Sequence, residues 1–342
     1  MFITYICIYM CAKKFFIIKN KKILYNIIFY TGLFIGVLGI LQRYVDCVKL
    51  APIFNKGICS TFGHSNFFGS YISIILPIGL SYYILKGNTK FFILSFILFF
   101  NMIASGTRSA WVAFCIVVFF IILFLIKQRN KEYYKRFLIA LIAFLLVFIY
   151  VYNGVRITHI FNRNTNVTNT SLQTTKKKVE KVKSEIKTAQ TQGINKKMGS
   201  SRIWIWIMTI DLIKQKPIIG CGTDNLKNGL LEYTSDEFMS FYHERNEIID
   251  KAHNEYLQIA ATTGIPSLII YLIFVTSILA PKMKNILSNE ISFVFSIIII
   301  SYLVQAFFNI STIGVAPLLW MILGFSDNKK LLEVLDSKIN EN

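Results

Sequence analysis

Three residues stand out by type and by what surrounds them. Arg108 is the sole charge between positions 91 and 126, in Ala104-Ser105-Gly106-Thr107-Arg108-Ser109-Ala110-Trp111. Arg202 opens Arg202-Ile203-Trp204-Ile205-Trp206, and His253 stands in Lys251-Ala252-His253-Asn254-Glu255-Tyr256. An arginine fork binds phosphate bidentately, and a neutral imidazole takes a proton from a hydroxyl. Each also has a plain reading: Arg108 and Arg202 as arginines snorkelling to a surface, His253 as a structural histidine. Glu255 stands at i+2 from His253 and, on a helix, does not face it. It is read with Tyr256 as touching substrate or headgroups.

Other chemistries find little support. The histidines at 64, 159, 243 and 253 show no HxxxH or HxxE spacing, so no metal site is expected. No glycine-rich phosphate loop occurs, and no cofactor is expected. The six cysteines contain no CxxC; Cys47 and Cys59 read either as a bridge or as two interfacial thiols.

The elements that must position these residues are membrane helices. Of the 342 residues, 54% are hydrophobic and 16% charged, against about 25% charged in soluble domains, and the mean hydropathy is +0.53. About 20 apolar residues cross a bilayer as a helix. Stretches free of Lys, Arg, Asp and Glu run over 23–42, 57–85, 91–107, 109–126, 137–155, 256–281 and 291–326. The last is long enough for two crossings and is interrupted by Asn309, Thr312, Gly314 and Pro317. The expectation is an all-α integral membrane protein of about eight transmembrane helices, and the weak alternation disfavours a barrel. Five spans lie in 23–155, a large extracytoplasmic loop with short amphipathic helices in 156–253, three spans in 254–326 and a cytoplasmic tail in 327–342. Residues 1–22 are left unassigned, as a signal-like segment, a frayed span or an interfacial helix.

The net charge of +19 does not indicate nucleic acid, because Lys and Arg mostly flank spans. With 13–22 inside, the short inner segments carry 17 of the 37 basic residues, which places both ends of the eight-helix set in the cytoplasm. Within the loop, 162–199 is rich in Asn, Thr and Lys and reads as largely solvated, with a basic amphipathic helix near 176–189. A helix is expected to open at Arg202 and stop by Pro217 and Gly220-Cys221-Gly222, with Trp204 and Trp206 forming an interfacial belt. Ionisable groups are nearly absent from the spans, which disfavours a proton- or ion-coupled transporter.

Four stretches resemble the O-antigen ligase and polymerase superfamily of membrane glycosyltransferases. His253-Asn254 followed by Gly264 and Ile265-Pro266-Ser267-Leu268 resembles its signature. Ser60-Thr61-Phe62-Gly63-His64-Ser65-Asn66-Phe67-Phe68 resembles an outer loop "TFGHPNFFA", with Ser65 in place of the usual Pro. Ser105-Gly106-Thr107-Arg108-Ser109 resembles "TGSRGA", and Arg202 through Trp206, then Pro217 to Gly222, resembles an "R…W…P–GxG" loop pattern. The similarity covers about 60–326.

The resemblance implies a polyprenyl-diphosphate-linked glycan donor bound at the outer face of the cytoplasmic membrane and a glycan or lipid acceptor. Arg108 and Arg202 would face the diphosphate, and His253 would be the base, without a metal. Asn254, Tyr256, Arg163, Arg245, Lys251, His64 and Asn66 follow as substrate-binding candidates. Polymerase and ligase are not separated by these motifs. Transfer to a protein hydroxyl and polysaccharide export are the alternatives. Family members have more than eight spans, and the missing ones would lie before residue 23, so the chain reads as a shortened form.

Overall fold

A computed structural model describes residues 2–16, 21–44, 58–166 and 202–336. All regular structure among them is helical. The chain begins with α1 (Phe2–Lys14) and α2 (Lys21–Tyr44). Then come α3 (Ser65–Lys86), α4 (Thr89–Ala104), α5 (Arg108–Gln128) and α6 (Lys131–Asn166). Three short helices follow, α7 (Arg202–Gln215), α8 (Leu226–Tyr233) and α9 (Ser235–Arg245). The chain continues through α10 (Glu255–Thr263), α11 (Ile265–Lys284), α12 (Glu290–Ala306), α13 (Ala316–Ser326) and α14 (Lys329–Asp336).

Five of these are long and apolar enough to cross a membrane: Lys22–Tyr44, Ser65–Lys86, Arg108–Gln128, Lys131–Val151 and Ile265–Lys284. The other three expected spans are apolar helices of 16, 17 and 11 residues, α4, α12 and α13. The turn at Ser105-Gly106 and the irregular stretch between Ala306 and Ala316 cut them short. Eight full-length spans are therefore not found among the described residues. The expected sixth span is also divided, because Gly264 breaks 256–281 into α10 and α11. Helix α6 continues past 155, the expected end of the fifth span, to Asn166.

Helix α3 is the central element. It packs on α4, α5 and α12 and is buried along most of its length, which is why its sequence is apolar or small on every face. Aromatic rings close the gaps between helices, with Phe99 stacked on Phe144 at 4.2 Å and Phe124 on Phe293 at 4.1 Å. Polar contacts join the connecting segments at one end: Tyr133 donates to Glu290 at 2.6 Å, and Arg136 to the carbonyls of Ile84 and Leu85. That end carries Lys86, Lys127, Lys282 and Lys284; the three candidate residues lie at the other.

The unassigned N-terminal segment forms α1, which runs alongside α13. Tyr5 stacks on Trp320, Gly324 admits the α1 backbone, and Asn328 donates to the carbonyls of Ala12 and Phe16, both at 2.9 Å.

The described part of the long loop is a folded cap with its own core. Trp204, Met208 and Leu212 of α7 pack on Leu226, Leu230, Phe238 and Phe241, with Ala252 and Ala261 beneath. Trp204 is only 4% exposed, so the expected tryptophan belt is corrected: burial against Phe241 outweighs the interface for this residue. The amphipathic helix expected near 176–189 and Cys47 lie outside the described residues.

Candidate active site

The site is assembled from helix N-termini. Upstream of α3, Gln42 of α2 reads the loop backbone: its side-chain oxygen accepts from Ser60 N at 2.7 Å, and its amide donates to Ser60 O at 2.7 Å. Ser60, in the left-handed region, donates its hydroxyl to Ile35 O. The loop then delivers His64 as the N-cap of α3, where Nδ1 accepts from Asn66 N at 3.0 Å. The imidazole thus serves the α3 cap through Nδ1. Ser65 occupies the first helical position, where Pro is favoured.

Arg108 opens α5 directly after the Gly106 turn, whose φ of 67° suits glycine. Thr107 ties this turn to α3 by donating to Ser65 O at 3.0 Å. The Arg108 side chain is exposed.

Arg202 opens α7, and two stretches remote in sequence hold that helix against α10. Beyond α7, the Pro217–Gly222 turn runs along the α10–α11 junction: Cys221 N donates to Ala261 O at 2.9 Å, Gly222 N to Thr262 O at 3.0 Å, and Ile265 N to Pro217 O at 2.8 Å. A Cβ on Gly220 would stand 2.6 Å from Ala261 O, and one on Gly264 would collide with the Ile218 carbonyl. Both glycines also have positive φ, so both motif glycines are explained by one backbone-to-backbone contact. At the other end of the same pairing, Trp206 Nε1 donates to Ala252 O at 3.0 Å.

His253 follows with φ of 50°, a left-handed backbone uncommon for a residue bearing a side chain. Its half-buried imidazole has its pKa lowered first by desolvation and next by the positive charge of Arg202, with His64 acting in the same direction and Asp250 and Glu247 opposing. Arg202 is half-buried, its pKa lowered first by desolvation and then by Arg108. Arg108 thus acts on Arg202, and Arg202 and His64 act on His253. Among the described residues, neither Arg108 nor Arg202 forms an ion pair. Each guanidinium stands in the first turn of its helix, where the helix dipole favours an anion.

The remaining expected residues divide. Asn254 is buried and caps α10, Oδ1 accepting from Leu257 N at 3.0 Å, which accounts for it structurally. Tyr256 donates to Leu303 O at 2.8 Å and, with Ile300, Leu303, Val304, Phe307 and Phe308, lines an apolar cavity of ≈ 360 Å³. The Asn66 carbonyl accepts from Asn309 at 3.0 Å. Lys251 is half-buried next to Ala252, whose backbone is held by Trp206 and Gln258. Arg245 ends α9 and has its Nε buried with no partner among the described residues. Arg163 falls in the last turns of α6.

The sequence misplaced Glu255 and gave no site role to Gln305 or Asn309. Glu255, expected at substrate or headgroups, is instead 5% exposed and accepts from Tyr302 at 2.9 Å and Tyr271 at 3.2 Å. Its direction follows from the α10 cap geometry, which points position 255 down between α11 and α12. Gln305 and Asn309, at the end of α12, reach the start of α3, where Asn309 also donates to Ser70 at 2.9 Å. Polar residues ending an apolar run were the only available signal.

Against this geometry, the O-antigen ligase family model matches residues 93–272, just over half of the chain, from α4 into α11, and takes in Arg108, Arg202 and His253. No individually curated protein matches the chain. That match spans more than half of a helical chain with five helices long and apolar enough to cross a membrane, and the protein belongs to the O-antigen ligase family.

Proposed function

We propose that the protein is a membrane glycosyltransferase moving a glycan from polyprenyl diphosphate to an acceptor hydroxyl at the outer face of the cytoplasmic membrane. The observation that carries this reading is the gathering of Arg108, Arg202 and His253 at adjoining helix starts, away from the Lys-rich end that the positive-inside rule assigns to the cytoplasm.

The acceptor oxygen attacks the anomeric carbon while the bond from that carbon to the phosphate oxygen breaks. His253, neutral at physiological pH because its pKa is lowered, takes the hydroxyl proton. The electron pair leaves with the diphosphate, whose growing charge the half-buried Arg202 and the exposed Arg108 stabilise. A single displacement inverts the anomeric configuration. His64, Arg245, Lys251 and Arg163 are proposed for further phosphate or sugar contacts, and Tyr256 for the wall nearest the lipid. Charge on protein groups suffices for this departure, so no metal is invoked.

The test is the size distribution of carrier-linked and surface glycan in a deletion strain complemented with wild type or His253→Ala. Single repeat units stranded on the carrier would identify a polymerase, and full-length chains stranded there a ligase. Surface glycan identical in the two strains would overturn the reading.

A further inference from the structure

The cap has an uncovered apolar edge at a fixed height. Ile218 and Ile219, at the tip of the Pro217–Gly222 turn, are 71% and 75% exposed. Burying even one such side chain is worth about 1.5–3 kcal/mol, so two adjacent ones in water are costly. They are not at the end of a free loop: Ile265 N donates to Pro217 O, and Gly264 packs on the Ile218 backbone, so the tip sits level with the first turn of α11. That helix is a membrane-span candidate whose outward side bears Ile269, Ile270 and Ile273, each at least half exposed. The edge continues upstream on α7, where Ile203, Ile207 and Ile210 share one face opposite the cap core, and Lys214 extends the same row.

We propose that the Pro217–Gly222 turn and this face of α7 insert into the bilayer interface, with lipid as their partner, so that the cap is seated on the membrane by its own side chains. Continuity with the lipid-facing side of α11 selects lipid over a second protein chain. The isoleucines enter the acyl boundary, and Lys214, paired with Asp211 at 2.7 Å, lies at the headgroups. The seating holds the start of α7, and with it Arg202, at headgroup level. The inference rests on the membrane placement of α11 and not on any glycosyl transfer.

The experiment places a nitroxide on Ile219→Cys, and separately on Asn228→Cys of α8, in the full chain with its native cysteines replaced by serine. Both are reconstituted in nanodiscs of phosphatidylethanolamine and phosphatidylglycerol, and power saturation compares oxygen with a water-soluble nickel chelate. Position 219 is expected to be relaxed by oxygen and shielded from nickel, and position 228 the reverse. Nickel access at 219 equal to that at 228 would overturn the proposal, as would dipolar broadening at 219 from a second copy. Ile207→Cys repeats the measurement on the helix should the turn variant fail to fold. These readouts are independent of activity, so loss of the glycosyltransferase reading would leave them unchanged.

Discussion

Trp206 donates its indole N–H to the carbonyl of Ala252, 3.0 Å away, one residue before His253. The helix that begins with Arg202 is thereby fastened to the residue preceding the histidine, although 51 positions separate Arg202 and His253 in sequence. The bond also braces a strained point, since His253 itself has a left-handed backbone.

That strain is separable from the chemistry. The left-handed conformation costs about 1–2 kcal/mol for a residue with a Cβ, partly offset in glycine by about 0.5–1 kcal/mol of chain entropy. His253→Gly is expected to abolish transfer while raising thermal stability in detergent by up to about 1 kcal/mol. His253→Ala abolishes transfer without that gain. Equal unfolding temperatures for the two variants would deny the strain.

The acid limb of the pH profile should lie below the usual imidazole value, because desolvation first and Arg202 second lower the His253 pKa. Neutral imidazole is the working form, so activity persists as pH falls until that lowered value is reached. Arg202→Gln removes a positive neighbour and must move the limb to higher pH, besides lowering the rate about 100-fold. Arg202→Lys retains the charge and leaves the limb nearly in place. A limb that does not move in Arg202→Gln would separate the two residues functionally.

The motif glycines should differ sharply from the turn glycine. Gly264→Ala places a methyl against the Ile218 carbonyl as well as forcing a side chain into φ of 91°. The expected cost exceeds about 2 kcal/mol and is read as lost folded yield together with lost glycan. Gly106→Ala meets no atom within 4 Å and pays only the conformational term, about 1 kcal/mol. Comparable losses in both would show that φ alone, and not the clasp between the turn and α10, governs the site.

Glu255 lies just ahead of the α11 span, and burial pushes its pKa up to about 7, with the Tyr302 and Tyr271 hydroxyls opposing. A carboxyl whose folded value exceeds its unfolded one binds protons better when folded. Its contribution to stability is complete below about 4.5 and is lost as pH rises through about 7. Replacing it with Gln keeps an acceptor for the tyrosines and should flatten unfolding temperature against pH between 5 and 8. Glu255→Ala leaves two buried hydroxyls unpaired and should destabilise at every pH by about 2–4 kcal/mol. An unchanged slope in Glu255→Gln would assign the pH dependence to another group.

How far the sequence determined this protein can be judged from particular residues. Apolar runs between charges located the helices, because a bilayer and a helix have matched lengths, and α2, α3, α5 and α11 each overlap one of those runs and extend one to three residues past its charged ends. The start of α7 at Arg202 and its stop before Pro217 were equally legible, being local backbone chemistry. Arg108 was legible as the sole charge in an apolar stretch, Arg202 by the tryptophans that follow it and His253 by the motif it opens. Where each run breaks was decided by tertiary contacts. Gly264 divides an unbroken apolar stretch because another backbone presses on it, and α4, α12 and α13 fall short where their ends turn into the site. Trp204 and Glu255 went inward for the same reason: a side chain's surroundings depend on which helices pack beside it, and sequence spacing defines a face without saying what covers it. Fastening the helix that starts at Arg202 beside the segment carrying His253 needed the Trp206–Ala252 bond and the glycine clasp, long-range contacts that no local pattern encodes.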